Sequence, residues 1–180
     1  MGAPMARNLA RWGILAGVWN RSRDKATALA AELGCEAPAT PAELAARCDA
    51  LVICVSADAD VLEVVDALLP AVRHGMLVID TSTVSATTAR TAAARLAPRG
   101  VEFLDCPVSG GVEGARDGKL AIMCGGHALA FERAQPVLGA LGRTITWFGE
   151  SGAGQAAKAT NHVLSTDEVM AVVNRQRSGA

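Results

Sequence analysis

The sequence MGAPMARNLARWGILAGVWNRS, residues 1–22, carries the pattern that decides the fold. Gly2 stands directly before a segment of helical composition, in which Met5, Leu9 and Trp12 are spaced to line one face of a helix. A glycine has no Cβ atom, so another backbone or a ligand can approach the first turn of that helix closely. The stretch therefore predicts a helix whose N-terminus is open to close contact.

A short apolar segment, residues 16–19, follows this helix and is predicted to be a strand. It leads into Asn20, close to the roughly 20-residue offset at which a ribose-contacting residue follows a G-x-G-x-x-G turn in dinucleotide-binding folds. Gly2 fits the last glycine of such a turn. We therefore expect an apolar strand and two further glycines to belong before Met1, and the chain to be truncated at this end.

Farther along the chain, short apolar segments alternate with longer amphipathic ones, which is the pattern of repeated βα units around a parallel sheet. The expected fold is α/β: a Rossmann-type, doubly wound and mostly parallel sheet that lacks its first strand. Residues 1–151 form the predicted dinucleotide-binding domain, and residues 152–180 the start of an interdomain helix with a polar tail. The candidate strands are residues 16–19, 51–55, 76–80, 101–104, 120–124 and 144–148, and the candidate helices are residues 22–33, 41–47, 58–72, 85–96, 129–141 and 152–173.

Several helix ends carry their own signals. Ser22 is a candidate N-cap for the second helix. The helix of residues 85–96 has three candidate caps, Thr83, Ser85 and Thr87, and the sequence does not choose among them. Pro136 lies inside the candidate helix of residues 129–141, and we expect it to kink or shorten that helix.

The composition argues against several classes of protein. A net charge of -1 and an aromatic content of 3% are unlike the basic, aromatic surface of a nucleic-acid binder. No apolar stretch reaches the roughly 20 residues that a membrane span needs, and the N-terminus lacks the pattern of a secretory signal. The cysteines form no C-x-x-C pair, so we expect free thiols in a reducing compartment and no metal site. A cytoplasmic location is the expectation.

The tetrapeptide Trp19-Asn20-Arg21-Ser22 lies where NAD enzymes carry a carboxylate for the ribose 2′-hydroxyl. Asn20 is neutral, and Arg21 can make a charge-assisted, bidentate contact with a phosphate. The tetrapeptide therefore favours NADP(H), with NAD(H) as the second candidate. Taken alone, it is equally compatible with a solvated arginine at the start of a helix.

The segment DCPVSGGVEGA, residues 105–115, follows a predicted strand directly. Gly110 and Gly111 expose backbone N–H groups with no Cβ in the way, and the Ser109 hydroxyl lies beside them. Such a concavity suits a carboxylate. The alternative is an ordinary linker, because Ser-Gly-Gly occurs in many flexible loops.

Residues 152–161, GAGQAAKATN, bring Lys158 and Asn161 to one face of a predicted helix. Lys158 is flanked by alanines rather than by other charges. A lysine ammonium can give up its proton where an arginine cannot, which suits general acid/base catalysis. Without further context, a solvated helix lysine explains the same pattern.

Together these segments resemble the β-hydroxyacid dehydrogenase family, which includes 3-hydroxyisobutyrate dehydrogenase, tartronate semialdehyde reductase and glyoxylate/succinic semialdehyde reductases. The resemblance runs from Met1 to about Asn161 and is strongest in MGAPMARNL, WNRS, DTSTV at residues 80–84, DCPVSGGVEGA and GAGQAAKATN. It implies a dinucleotide-binding domain of the 6-phosphogluconate dehydrogenase type. It also implies hydride transfer between NADP(H) and a small carboxylate-bearing substrate, in a homo-oligomer.

The family's motifs assign roles to individual residues. By resemblance, Lys158 is the catalytic residue, and the Ser109 loop and Asn161 bind the substrate. The residues implied to bind the cofactor lie in several separate segments of the chain. The implied substrate contacts are Ser109, Gly110, Gly111 and Asn161, and the implied cofactor contacts are Met1, Gly2, Asn20, Arg21, Ser22, Val55, Ser56, Asp60 and Thr83.

The chain departs from the family pattern at a few positions. Val55-Ser56 stands where relatives usually have Leu-Pro, and His162 stands where they often have a second asparagine. Residues 165–168 and the tail at 175–177 are unlike the family's apolar interdomain helix. The resemblance implies a further, all-helical domain, which in relatives completes the active site and usually builds the dimer, and we expect that domain to be absent from this chain.

Three alternatives compete with a hydroxyacid dehydrogenase. The 6-phosphogluconate dehydrogenase branch needs basic residues for a phosphosugar, and none cluster near Ser109 or Lys158. Imine reductases generally replace the lysine that this chain retains. A catalytically silent nucleotide-binding or dimerisation module is the alternative outside enzymes, because loss of a central strand leaves unpaired ladder groups and predicts poor solubility and little activity.

Overall fold

One mostly parallel, six-stranded sheet organises residues 1–164, the part of the chain that the computed structural model describes, with side chains described through residue 161. β1, β2 and β3 are parallel neighbours in that order, and β5 and β6 are parallel to each other. β3 and β4 both run antiparallel to β5. The strands are β1 (Ala50–Ile53), β2 (Leu77–Asp80), β3 (Glu102–Asp105), β4 (Val108–Ser109), β5 (Leu120–Gly125) and β6 (Gly142–Gly149).

Helices connect the strands, as the alternating pattern predicts. Each connection between consecutive strands contains a helix, except the connection from β3 to β4, and one more helix follows β6. The helices are α1 (Gly2–Arg11), α2 (Arg23–Leu33), α3 (Pro41–Ala45), α4 (Asp58–Leu68), α5 (Ala86–Leu96), α6 (Gly111–Asp117), α7 (Ala128–Leu141) and α8 (Ala153–Leu164), with a short 3₁₀ turn at Ala97–Arg99. The Rossmann-type fold expected from the sequence is confirmed.

Both faces of the central strands are covered. In β2, Leu77 and Ile79 pack in the core beneath α1, α6 and α7, while Val78 packs in the core beneath α3, α4 and α5. In β3, Leu104 belongs to the first core and Phe103 to the second. Side chains alternate across a strand, so a strand buried on both sides is apolar at consecutive positions rather than at every second one. This explains the continuous apolar runs that the sequence shows.

The chain reverses direction between β4 and β5, and not at the end of β3. β3 ends at Asp105, which pairs with Gly125, and β4 continues along the same side of β5 with Ser109 paired to Ala121. The Pro107 carbonyl accepts a hydrogen bond from the N–H of Met123 and links the two short ladders. β4 and α6 were not predicted, because residues 105–115 read as one loop.

The prediction of a strand at residues 16–19 is wrong. The segment makes a single parallel bridge, between Gly17 and Glu36, and none of the described residues pairs it with the six-stranded sheet. An ideal Cβ on Gly17 would lie 3.0 Å from the Glu36 carbonyl oxygen, so the two backbones meet closely at that one point. A strand needs a repeated ladder, which one bridge does not provide.

One prediction about a helix interior is also wrong, and the shortening predicted for another helix is not observed. Trp12 does not line the buried face with Met5 and Leu9: α1 ends at Arg11, and Trp12 is its C-cap and 62% exposed. Pro136 does not shorten α7, which runs through it from Ala128 to Leu141. Buried residues on both sides of the proline, Ala134 and Leu138, hold α7 against the sheet, which offsets the hydrogen bond that proline removes.

The helix caps separate the candidates that the sequence left open. Ser85 is the N-cap of α5, and its hydroxyl accepts a hydrogen bond from the N–H of Thr88 at 3.0 Å. Ser22 is the N-cap of α2, as predicted, but its side chain makes no capping bond. Instead the Asn20 side-chain oxygen accepts from the Ser22 N–H at 2.8 Å. The predicted helix of residues 152–173 is observed as α8 up to Leu164, and its remaining residues lie outside the described ones.

Among the described residues, no helix combines the length and the apolar character that crossing a membrane requires.

Two glycines close together in the chain test the packing of the start of β6 against β5. A Cβ on Gly142 would lie 2.5 Å from the Leu120 carbonyl oxygen and 2.8 Å from the Ile122 side chain, whereas a Cβ on Gly139 would meet nothing within 4 Å. We expect Gly142→Ala to lower the free energy of unfolding by about 1–3 kcal/mol through overpacking. Gly139→Ala, the matched control inside α7, should raise it by roughly 0.5–1 kcal/mol. Urea unfolding measures both, and equal effects of the two changes would contradict this packing.

Candidate active site

A cleft of about 510 Å³ lies where β1 and β2 end, beside the N-terminus of α1. Parallel strands of an open α/β sheet end at the same edge, which is where such folds bind ligands. The turns after β1 and β2, the segment after β3 and one residue of α8 form its walls. The lining residues are Met1, Gly2, Cys54, Val55, Ser56, Thr81, Ser82, Thr83, Val108, Ser109, Gly110, Gly111 and Lys158.

Hydrogen bonds fix the turns after β1 and β2 to each other. The Thr81 hydroxyl donates to the Ile53 carbonyl at 2.7 Å, and the Ser82 hydroxyl accepts from the Val55 N–H at 2.9 Å. Thr81 and Ser82 are both 2% exposed. Because these bonds use polar side chains below the cleft surface, the wall that holds Val55 is rigidly connected to the wall that holds Thr83.

A buried carboxyl group lies directly beneath this wall. Asp80, the last residue of β2, accepts a hydrogen bond from the Ser82 N–H at 3.0 Å through Oδ1, while its buried Oδ2 has no partner among the described residues. Burial raises the pKa of Asp80 to about 6, against the lowering effect of Ser82. The negative charge of Asp105 raises it further. Asp80 is therefore a carboxyl group that gains its charge only near neutral pH.

Two other carboxyl groups near the cleft have shifted pKa values. Burial raises the pKa of Asp105, although backbone N–H groups of Gly152 and Gln155 lower it in part. Asp58 has its pKa lowered to about 2 by hydrogen bonds from the Thr88 hydroxyl and the Ser85 N–H. Asp58 lies in the first turn of α4 and ties it to the first turn of α5.

The glycine pair beside Ser109 has a backbone that other residues rarely adopt. Gly110 has φ +130 and Gly111 has φ +63, and both glycines are exposed at the cleft. Side chains at positive φ are strained, so this turn needs glycine. The turn opens α6 and leaves backbone groups and the Ser109 side chain along one wall of the cleft.

Arg21 lies away from this cleft, close to the first turn of α4. Its guanidinium is 3.3 Å from a carboxylate oxygen of Asp60, with the Arg21 side chain 78% exposed. Asp60 follows Ser56 along the chain, so the ion pair lies on the side of the cleft formed by the turn after β1. Asn20 orders the same turn through its bond to the Ser22 N–H.

The structure thus brings together most of the residues implicated by the sequence but not all of them. Asn20, Arg21, Ser22 and Asp60 do not line the cleft, and neither does Asn161, which is exposed on α8. The residues gathered around the cleft are Met1, Gly2, Val55, Ser56, Thr83, Ser109, Gly110, Gly111 and Lys158.

Sequence reasoning missed four lining residues, Cys54, Thr81, Ser82 and Val108. The first three directly follow the carboxyl ends of β1 and β2, and this position in a parallel sheet was the available signal. Burial raises the pKa of the Cys54 thiol, so Cys54 contributes a neutral side chain rather than a thiolate nucleophile.

Comparisons with known proteins agree with this geometry. The model of the NAD-binding domain of 6-phosphogluconate dehydrogenase matches residues 1–149. The chain is 37% identical over 181 residues to the NAD-dependent L-serine dehydrogenase of Pseudomonas aeruginosa, across 96% of this chain and 60% of that protein.

Solved structures give the same result. Mycobacterium tuberculosis 3-hydroxyisobutyrate dehydrogenase with L-serine has a TM-score of 0.87 at 36% identity, across 91% of this chain and 56% of that one. Psf3 in complex with NADP+ and 2-OPP has a TM-score of 0.83 at 31% identity, across 91% and 58%. The chain therefore spans 56% to 60% of the length of these relatives.

The sheet, the α1 N-terminus and the cleft at the strand ends define a Rossmann domain of the nicotinamide-dinucleotide oxidoreductases. Within that class, the chain belongs to the β-hydroxyacid dehydrogenase family, whose dinucleotide domain is of the 6-phosphogluconate dehydrogenase type.

The raised pKa of Asp80 predicts a pH dependence of stability. Because the pKa of Asp80 is about 6 in the folded state and 3.8 for an ordinary aspartate, the stabilisation is fully present below about pH 4 and lost as pH rises through 6. We expect the free energy of unfolding of the native chain, relative to Asp80→Asn, to fall by up to about 3 kcal/mol between pH 4 and pH 7. Urea unfolding at several pH values measures this difference.

Asp24→Asn, which removes a carboxylate from the exposed surface of α2, is the matched control. A constant difference between the native chain and Asp80→Asn would show that Asp80 does not titrate in this way.

Proposed function

We propose that the complete protein transfers a hydride between a nicotinamide cofactor and a small β-hydroxy acid or its semialdehyde. One observation carries this proposal: a single cleft contains the open N-terminus of a helix, an N–H-rich glycine turn and a lysine amine. The helix N-terminus suits a phosphate, and the glycine turn suits a carboxylate. The lysine amine can act as an acid or a base.

The donors around the cleft suit a dinucleotide. The first N–H groups of α1 have no capping side chain, and Gly2 leaves room for a pyrophosphate to approach them. Val55, Ser56 and Thr83 would contact the cofactor from the turns after β1 and β2. When bound, the cofactor supplies or accepts the hydride, and the chain's own residues supply binding, orientation and proton transfer.

The substrate would bind between the Ser109 turn and α8. The hydroxyl of Ser109 and the N–H groups of Gly110 and Gly111 would hold its carboxylate, which sets the distance to the reacting carbon. In the direction of reduction, the Lys158 ammonium donates a proton to the carbonyl oxygen, and in oxidation the neutral amine accepts the hydroxyl proton. Asn161, one turn farther along α8, is the proposed substrate-binding partner of Lys158.

The relatives support this class of substrate. One is an L-serine dehydrogenase and another is a 3-hydroxyisobutyrate dehydrogenase. Serine and 3-hydroxyisobutyrate share a carboxylate with a hydroxyl on the β carbon, which are the groups that the Ser109 turn and Lys158 are suited to bind. We propose residues 1–151 as the dinucleotide-binding domain and residues 152–180 as the start of an interdomain helix.

For the cofactor we propose NADP(H), with NAD(H) bound more weakly. The Arg21 guanidinium is exposed, and its neighbour Asn20 is neutral rather than a carboxylate that would repel a 2′-phosphate. A relative bound to NADP+ supports the choice, and the NAD-dependent L-serine dehydrogenase is the counterexample that makes a test necessary. Asp60 competes with a phosphate for Arg21, so it would weaken this preference.

The catalytic role of Lys158 has a direct test in the complete protein. We expect Lys158→Ala to lower kcat by about 10²–10⁴-fold, because a positioned proton donor contributes that much. The Kd for the cofactor should stay within about twofold, since a general acid need not bind the cofactor. Steady-state kinetics and a fluorescence titration measure the two quantities. Lys119→Ala, at an exposed lysine outside the cleft, is the control, and near-normal turnover of Lys158→Ala would exclude the role.

The cofactor preference is tested at Arg21. We expect Arg21→Ala to weaken NADPH binding by about 10–100-fold, the worth of a lost charge-assisted hydrogen bond, and to leave NADH binding nearly unchanged. Asp60→Asn should strengthen NADPH binding by freeing Arg21. Arg143→Ala, at an exposed arginine of β6, is the control. Equal affinities of the native protein for both cofactors would refute the preference.

A further inference from the structure

The helix that carries Lys158 begins on a buried carboxylate of another element. Asp105, at the end of β3, is fully buried, and its two carboxylate oxygens accept hydrogen bonds from the N–H of Gly152 at 2.7 Å and the N–H of Gln155 at 2.9 Å. These donors belong to the first turn of α8, whose N–H groups have no partner within the helix. A negative charge at this end of a helix is also favourable for the helix dipole.

Two glycines allow the start of α8 to pack closely against the strand ends. A Cβ on Gly154 would collide with the backbone oxygens of Asp105 and Met123, and a Cβ on Gly125 would lie 2.6 Å from the Gly154 nitrogen. The first turn of α8 therefore lies directly against the ends of β3 and β5. Its position has little freedom to vary.

The side chain of Gln155 then connects α8 to a wall of the cleft. Gln155 is 3% exposed; its Nε2 donates to the Ser82 carbonyl at 2.8 Å, and its Oε1 accepts from the Val84 N–H at 3.1 Å. Both hydrogen-bonding ends of the amide are used. The residue between these two partners is Thr83, which lines the same cleft as Lys158.

We propose that Asp105 and Gln155 are positioning residues, which together hold Lys158 at a set distance from the Thr83 wall of the cleft. Lys158 is three residues after Gln155, one turn along the same side of α8. Neither Asp105 nor Gln155 lines the cleft. They act on the reaction through Lys158, and this role in turnover rests on the proposed function.

The test replaces Gln155 by methionine in the complete protein. Met has nearly the same length and keeps the buried volume but makes neither hydrogen bond, so α8 loses its connection to Ser82 and Val84. We expect kcat to fall at least tenfold while the KM for the hydroxy acid changes less than threefold. Gln135→Met is the matched control, because Gln135 is exposed on α7 and bonds only within its own helix.

A second readout does not depend on turnover. The rate at which an amine-specific acylating reagent labels Lys158, relative to Lys25 and Lys119 in the same molecule, reports how the lysine is held. Lys25 and Lys119 are exposed, whereas Lys158 is half-buried. We expect Gln155→Met to raise the relative labelling rate of Lys158 at least threefold, and Gln135→Met to leave it unchanged.

The outcomes separate the two proposals. A native protein that turns over no hydroxy acid contradicts the proposed function, and the labelling of Lys158 then decides the positioning role alone. A folded Gln155→Met protein with native kcat and native labelling overturns that role. If Gln155→Met does not fold, Gln155→Glu takes its place, because it keeps the acceptor for Val84 and loses only the donor to Ser82. For Gln155→Glu, an intermediate loss of kcat and an intermediate rise in the labelling of Lys158 support the positioning role. Native values of both quantities overturn it.

Discussion

The burial of β2 and β3 on both faces is the constraint on which the rest of the structure depends. With helices on each side, the chain can leave these parallel strands only at their ends, and a polar side chain buried within them costs stability unless it is hydrogen-bonded. Polar residues therefore collect just past the strands, as Thr81, Ser82 and Thr83 do after β2. The cleft is a consequence of this rule, because parallel strands release their chains at one common edge.

The same rule explains where the buried carboxyl groups lie. Asp80 and Asp105 are equivalent last residues of neighbouring strands and are paired in register. One of them finds two backbone donors from α8, and the other retains an oxygen without a partner among the described residues. The two residues have the same place in the fold but different roles. Asp105 accepts hydrogen bonds from the start of α8. Burial of the ionised Asp80 lowers the stability of the fold, by an amount that depends on pH.

Much of the fold could be predicted because the decisive signals are local. Apolar runs mark β2 and β5, and Ser22, the candidate N-cap, is the observed N-cap of α2. The failures are tertiary in origin. Whether residues 16–19 form a ladder depends on what lies beside them, and whether Pro136 ends a helix depends on what that helix packs against.

The residues of the candidate site divide in the same way, into those with a local sequence signal and those whose role depends on tertiary contacts. Ser109, Gly110, Gly111 and Lys158 were found from motifs in which each residue carries its own chemistry. Gln155 lies inside one of those motifs, GAGQAAKATN, yet its importance comes from Ser82 and Val84, distant in sequence. No pattern in a single sequence reveals a hydrogen-bond partner brought near by folding.

The seat of α8 on Asp105 also has a mechanical meaning. The helix extends from Ala153 to Leu164, about 18 Å at the usual rise per residue, and one end of it is clamped to the sheet. Because α8 is held at one end, a tilt of a few degrees at Asp105 displaces its other end by about an ångström. The direction in which α8 runs from the edge of the sheet to Leu164 is therefore set by the carboxylate of Asp105.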